Sequence, residues 1–153
     1  MRQLLHFISE STKALLLDVG LLALRLGGGG LMLLLHGEGK LRKVFGWIRG
    51  TEEGKNFVTG FPDPIGIGNT LSAISAAATE SLAALFIMLG LLTRLSSVAL
   101  GFTMVVAAFI VHGNELWTKG ELALVYLVIF AVLALTGPGR FSLDAQVVKR
   151  FPR

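Results

Sequence analysis

No cysteine occurs among the 153 residues. That absence removes disulfides, thiol nucleophiles, Cys-ligated zinc and iron–sulfur clusters together. Any redox role must run through a bound cofactor, a quinone-like molecule or a partner subunit. Charge is also scarce, at 16% of residues against about 25% in ordinary soluble domains. No basic stripe with interleaved aromatics is present, so nucleic acid is not an expected partner. No metal-ligand spacing occurs either, and no metal is expected. The run Gly27–Gly30 lacks the Lys-Ser/Thr that follows a phosphate-cradling loop. The first apolar stretch is interrupted by Arg25 and has no small-x-small cleavage site, so it is read as a span and not as a removable leader. There is no internal repeat.

What remains is apolar. Hydrophobic residues make up 53% of the chain and the mean hydropathy is +0.71. One soluble core of this size could not hide that surface, so lipid is the expected solvent. The pattern predicts one all-α membrane domain over 1–153, an up-down-up-down four-helix bundle. Its helices are expected at 14–36, 69–92, 95–112 and 120–136, with an interfacial segment over 140–153. Ser11 or Thr12 is the expected N-cap of the first helix, His36 its end, and Gly137-Pro138-Gly139 the stop of the fourth. About 20 residues span a bilayer core, so the last two helices are short. A long connection, 37–68, separates the first two helices. Within it Leu41, Val44, Phe45 and Ile48 have helical spacing, which predicts a short interfacial helix with Trp47 at headgroup level. Ser142 is the expected N-cap of residues 143–150, with Arg140 beside Asp144 or lipid phosphate. The positive charge divides almost evenly between the two faces. It places the termini on the cytoplasmic side by a small margin.

Two ionised side chains of opposite sign sit inside the apolar runs, Arg25 and Glu80. A charge at the bilayer centre costs about 2.5–3.5 kcal/mol on insertion scales, so such residues face a partner or a cavity. Arg25 precedes His36 by as many residues as Glu80 follows Asn69. If those ends share a face, both charges lie about 16 Å below it, and an Arg25–Glu80 contact is expected. It is either a charged floor for a ligand or a structural pair that holds two helices in register. His36 and His112 end helices on the same face, near Glu121, with Lys40 and Asp63 in the connection above and Tyr126 lower on the fourth helix. These eight residues are the candidates for a ligand or proton site; interfacial capping of helix ends is the plainer role for the histidines. The glycine run predicts close helix–helix approach.

Several strings resemble the DoxX family. They are Arg25-Leu-Gly-Gly-Gly-Gly-Leu-Met-Leu-Leu-Leu-His36-Gly37 with Lys40-Leu41, Gly60-Phe-Pro-Asp-Pro-Ile-Gly66, Glu80, Leu89-Gly-Leu-Leu-Thr-Arg94 and Gly137-Pro-Gly-Arg-Phe-Ser-Leu-Asp144. The resemblance implies a small four-helix protein of the prokaryotic inner membrane. Relatives have been linked to thiosulfate:quinone oxidoreduction and to membrane complexes that handle oxidative and thiol stress. By position it adds Arg94, Arg140 and Asp144 to the matched polar residues. The leading expectation is a membrane subunit of a redox system. It would bind a quinone-like or other small amphipathic ligand near the Arg25–Glu80 pair, support soluble or membrane oxidoreductase partners, and form a homo-oligomer. The alternatives are a non-catalytic scaffold or assembly factor, and a small-solute transporter acting as an oligomer.

Overall fold

The computed structural model describes residues 2–150, with side chains from Ser9 onward. Among these residues every regular element is helical and there is no strand. The first helix, α1, is unbroken from residue 2 to residue 48. It does not begin at Ser11 or Thr12, which lie inside it, and it does not end at His36. Polar residues after Gly37 take the chain out of the apolar stretch without ending the helix. Gly37 itself keeps right-handed helical geometry, with φ −74° and ψ −51°. The stripe of Leu41, Val44 and Phe45 continues directly from α1, so the interfacial helix expected here is an extension of the first span.

Helix α2 (Glu52–Thr59) folds back along that extension. Thr51 is its N-cap, in extended geometry, and its Oγ1 accepts from the Gly54 amide at 3.3 Å. Gly54 lies so close to the backbone of Trp47 that no side chain fits between the two helices. Helices α3 (Asn69–Leu89) and α4 (Thr93–Val111) follow, joined by a tight turn in which Gly90 and Leu92 have positive φ. Then come α5 (Glu121–Thr136) and α6 (Leu143–Arg150). Helices α1, α3 and α4 each contain a stretch long and apolar enough to cross a membrane, while α5 is shorter, at 16 residues. The outer faces carry Leu16, Leu34, Leu95, Val98, Val128 and Leu135, all exposed, as expected of helices solvated by acyl chains.

The core is built from Leu21, Met32, Ala84, Ile87, Leu100, Met104, Tyr126, Phe130 and Leu133. Small residues bring the helices together here. A Cβ on Gly28 would meet Ile129 Cγ2 on α5 at 2.7 Å, and one on Gly29 would meet the Ala84 carbonyl oxygen on α3 at 3.0 Å. Gly37 packs on the backbone of Glu80 and Ser81, and Gly90 against the Arg25 guanidinium. These contacts set the register of α1 against α3: residue 37 faces 80, and 25 faces 90.

That register overturns the expected Arg25–Glu80 contact. Glu80 is level with Gly37, about 18 Å along α1 from Arg25 at 1.5 Å per residue. The expected contact requires α1 to end at His36, level with the start of α3. Instead α1 runs on, and its extension packs beside residues Asn69–Ala78 of α3. Arg25 is fully buried and secures the opposite end of the molecule. Its Nη2 donates to the Phe141 carbonyl at 2.7 Å and its Nη1 to the Met88 carbonyl at 3.5 Å. Arg140 pairs with Asp18 and not with Asp144. Its amide donates to Asp18 Oδ1 at 2.9 Å, and its Nε stands 3.8 Å from Oδ2. Asp144 accepts from the Leu92 and Thr93 amides at 2.8 and 3.0 Å, capping α4. Ser142 caps α6 as expected, its Oγ accepting from the Ala145 amide at 3.1 Å.

Candidate functional site

Three helices carry π-type turns in the same region: Leu33–Gly37 in α1, Thr79–Ala83 in α3 and Val106–Val111 in α4. Such turns recur at functional sites, where an added residue re-aims neighbouring side chains. Here they hold His36 and Glu80 and immediately precede His112.

The centre is an ion pair that sequence reasoning did not foresee. Lys40 Nζ donates to both oxygens of Glu80 at 2.5 Å. The carboxylate is buried, with 6% of its side chain exposed, while 28% of the lysine side chain reaches the surface. The lysine also stands 5.9 Å from the Phe61 ring centroid, within reach of a cation–π attraction.

Two cavities flank the pair. The larger is a groove of about 410 Å³ between α3 and α4, lined by Ala76, Thr79, Ala99, Phe102, Thr103 and Val106 and roofed by Phe61, Pro62, Pro64 and Ile65. Its wall is mostly apolar, with a few hydroxyls and, on one side, Lys40, Glu80 and His112. The Thr79 and Thr103 hydroxyls lie 3.1 Å apart; one donates to the other, and the acceptor donates in turn to a carbonyl one turn back. The smaller cavity, about 170 Å³, is lined by Met32, His36, Met104, His112, Lys119 and Tyr126 among others. Lys40, Glu80, Ala107 and His112 line both cavities. The His36 and Tyr126 rings meet edge to face, with centroids 5.8 Å apart. His36 Nε2 is buried with no hydrogen-bond partner among the described residues, so it is a polar atom available to a bound molecule.

Five of the expected site residues therefore converge: Glu80, Lys40, His36, His112 and Tyr126. Arg25 does not join them. Glu121 is exposed at the start of α5 and lines neither cavity. Among the described residues, no three His, Asp or Glu side chains are grouped to hold a metal ion. Thr79, Thr103 and Phe61 belong to the site without having been expected there. Thr79 precedes Glu80 directly, and a hydroxyl next to a buried carboxylate is the signal in the sequence that points to it.

Asp63 shapes the roof and does not line the groove. Its Oδ1 accepts from the Ile67 amide at 2.9 Å and from Ser72 Oγ at 3.0 Å, and its Oδ2 accepts from the Gly68 amide at 2.9 Å. Asn69 Nδ2 ties the same turn to the Thr59 and Phe61 carbonyls. The Gly68 amide, followed by Ser72 and Ile67, holds the Asp63 carboxyl below the usual carboxylate range. A depressed folded-state value means that Asp63 contributes stability above the ordinary carboxylate range and loses it as pH falls through and below that range. The Ile67 and Gly68 amides should therefore be protected from hydrogen exchange near neutral pH and lose that protection in acid, after correction for intrinsic rates. Asp63→Ala should abolish the difference. Equal protection in the variant would show that the roof does not depend on this carboxylate.

The DoxX family model matches residues 20–113, which include Arg25, His36, Lys40, Asp63, Glu80 and His112 but end before Glu121 and Tyr126. No curated protein and no solved structure matches the chain. The match covers more than half of the sequence, and its region takes in α3, α4 and the greater part of α1, the three helices with stretches apolar and long enough to cross a bilayer. The chain is a membrane protein of the DoxX family.

Proposed function

We propose that this protein is the membrane subunit of a redox system, and that its groove holds a quinone-like or other small amphipathic molecule on behalf of oxidoreductase partners. In this reading the four apolar helices form an up-down-up-down bundle in the prokaryotic inner membrane with both termini cytoplasmic, and further copies associate through lipid-facing surfaces. One observation carries the proposal: a Lys40–Glu80 pair, its carboxylate buried, in the wall of a largely apolar groove. Ligand sites are mostly apolar clefts of about 300–1,000 Å³ with a few convergent polar groups. This groove, at about 410 Å³, takes a single-ring headgroup. Lys40, Thr79, Thr103 and His112 are the side chains placed to hydrogen-bond ring carbonyls or hydroxyls, and Phe102 and Val106 to pack the ring and the start of its tail. Lys40 supplies the polar floor that the sequence suggested for Arg25.

The test is binding of decylubiquinone to protein in nanodiscs. Ala76→Phe places a ring inside the groove at a half-buried position, and binding should weaken at least about tenfold, or 1.4 kcal/mol, with the melting temperature little changed. Wild-type protein that does not bind, or a plugged variant that binds equally well, would remove the groove as the site. Function in cells surviving Ala76→Phe would favour a scaffold that needs no ligand.

A further inference from the structure

The two cavities meet at one ion pair, and they differ in what they adjoin. The groove is lined by exposed Phe102 and Val111 on the lipid-facing surface. The smaller cavity is lined by Lys119, whose side chain is 60% exposed, and by His36, His112, Tyr126 and the buried Glu80. One side admits an apolar molecule, and the other is lined by groups that bind and release protons.

Glu80 depends on Lys40. Among the described residues, Lys40 is the group that donates to its two oxygens. The charged or titratable groups around it are Lys40 and His36 on α1, His112 and Lys119 at and beyond the end of α4, and Tyr126 on α5. From its own helix, Ser72 connects the groove to Asp63. A buried carboxylate that loses its counter-charge is far costlier than a neutral acid, and it responds by protonating.

We infer that the Lys40–Glu80 pair couples ligand binding in the groove to uptake of a proton from the aqueous side. Lys40 turns its ammonium to a carbonyl oxygen of the ligand and stays charged. Glu80, released, forms an O–H bond with a proton drawn from water through the smaller cavity. His36 and His112 line that cavity, and an imidazole, with one donor and one acceptor nitrogen, can hand a proton on. Glu80 is then a neutral acid beside the ligand, with a hydrogen to donate. Binding thus loads the site with a proton before any electron arrives. The inference rests on the proposed reading of the groove, and the experiment separates the two.

Decylubiquinone binding to the nanodisc-held protein is measured by calorimetry in two buffers of equal pH and different ionisation enthalpy. Wild type should take up close to one proton per ligand. Its Kd should rise up to about tenfold per pH unit over the range where uptake is complete. Glu80→Gln keeps an oxygen for Lys40 and should bind with no uptake and a flat pH profile. Wild-type binding without uptake overturns this inference and leaves the groove reading intact, and that arm needs no variant to fold. Uptake that persists in Glu80→Gln assigns the proton elsewhere and also overturns it. No binding at any pH overturns the reading on which it rests.

Discussion

Lys40→Met should lower the unfolding free energy by about 3 kcal/mol, and adding Glu80→Met to it should restore most of that loss. Breaking a buried ion pair by removing one partner costs roughly 3–5 kcal/mol, because it leaves an uncompensated charge. Replacing both partners with packed apolar groups is often neutral. The lower end of the range applies here, since 28% of the lysine side chain is exposed and the pair is not fully dry. The single changes should also be unequal. Glu80→Met leaves a lysine that can extend its ammonium towards water. Lys40→Met instead leaves under α1 a carboxyl without its counter-charge, which must either stay ionised at the full desolvation cost or take up a proton. Denaturant titration of the four proteins in mild detergent gives the coupling energy directly. Additive single costs would mean that the contact is incidental. The same double variant separates two roles. If the pair only holds α1 to α3, the double variant works in cells. If it receives a ligand, the double variant is stable and inactive.

Much of this arrangement is legible in the sequence, and the part that is not has a definite cause. Arg25 and Glu80 stand out as buried charges, because apolar surroundings identify an enclosed charge whatever its partner. The partner depends on register, which depends on where a helix stops. Gly37, Glu38 and Lys40 look like the end of α1, since polar residues mark the edge of the hydrocarbon. A helix can leave the hydrocarbon and continue, and this one gains a new packing surface on α2 and the start of α3. Misplacing that end shifts the expected pairing by about three turns. His36, His112 and Tyr126 are less sensitive to this error, because each is placed by its closeness to the end of an apolar run and not by a partner deep in the bundle. The π-type turns are invisible, since an added residue in a helical turn leaves no mark on an apolar run. Helix α2 is hidden for the opposite reason: Glu52, Glu53 and Lys55 mask a helix whose stability comes from Gly54 lying against Trp47.

Gly37→Ala should be the most damaging single-methyl change in the spans, destabilising the protein by about 3 kcal/mol or more. A Cβ there would overlap the Glu80 carbonyl oxygen and lie 2.6 Å from its carbon and 2.9 Å from Ser81 Cα. All three are backbone atoms, so no rotamer change relieves the clash and α1 must move away from α3. Overpacking usually costs about 1–3 kcal/mol, and the upper end or beyond applies when the obstacle is main chain. Gly39, two positions further along the same helix, gives the control. Nothing lies within 4 Å of a Cβ built there, so Gly39→Ala should stabilise by about 0.5–1 kcal/mol through helix propensity alone. Opposite signs at these two glycines would establish that α1 meets α3 face to face at Glu80. Displacing α1 also carries Lys40 off the carboxylate, so Gly37→Ala should weaken decylubiquinone binding even in protein that still folds, while Gly39→Ala leaves it unchanged. Equal, small effects of both changes would mean that the helices are not in contact at this level, and the site would lose the ion pair on which it is built.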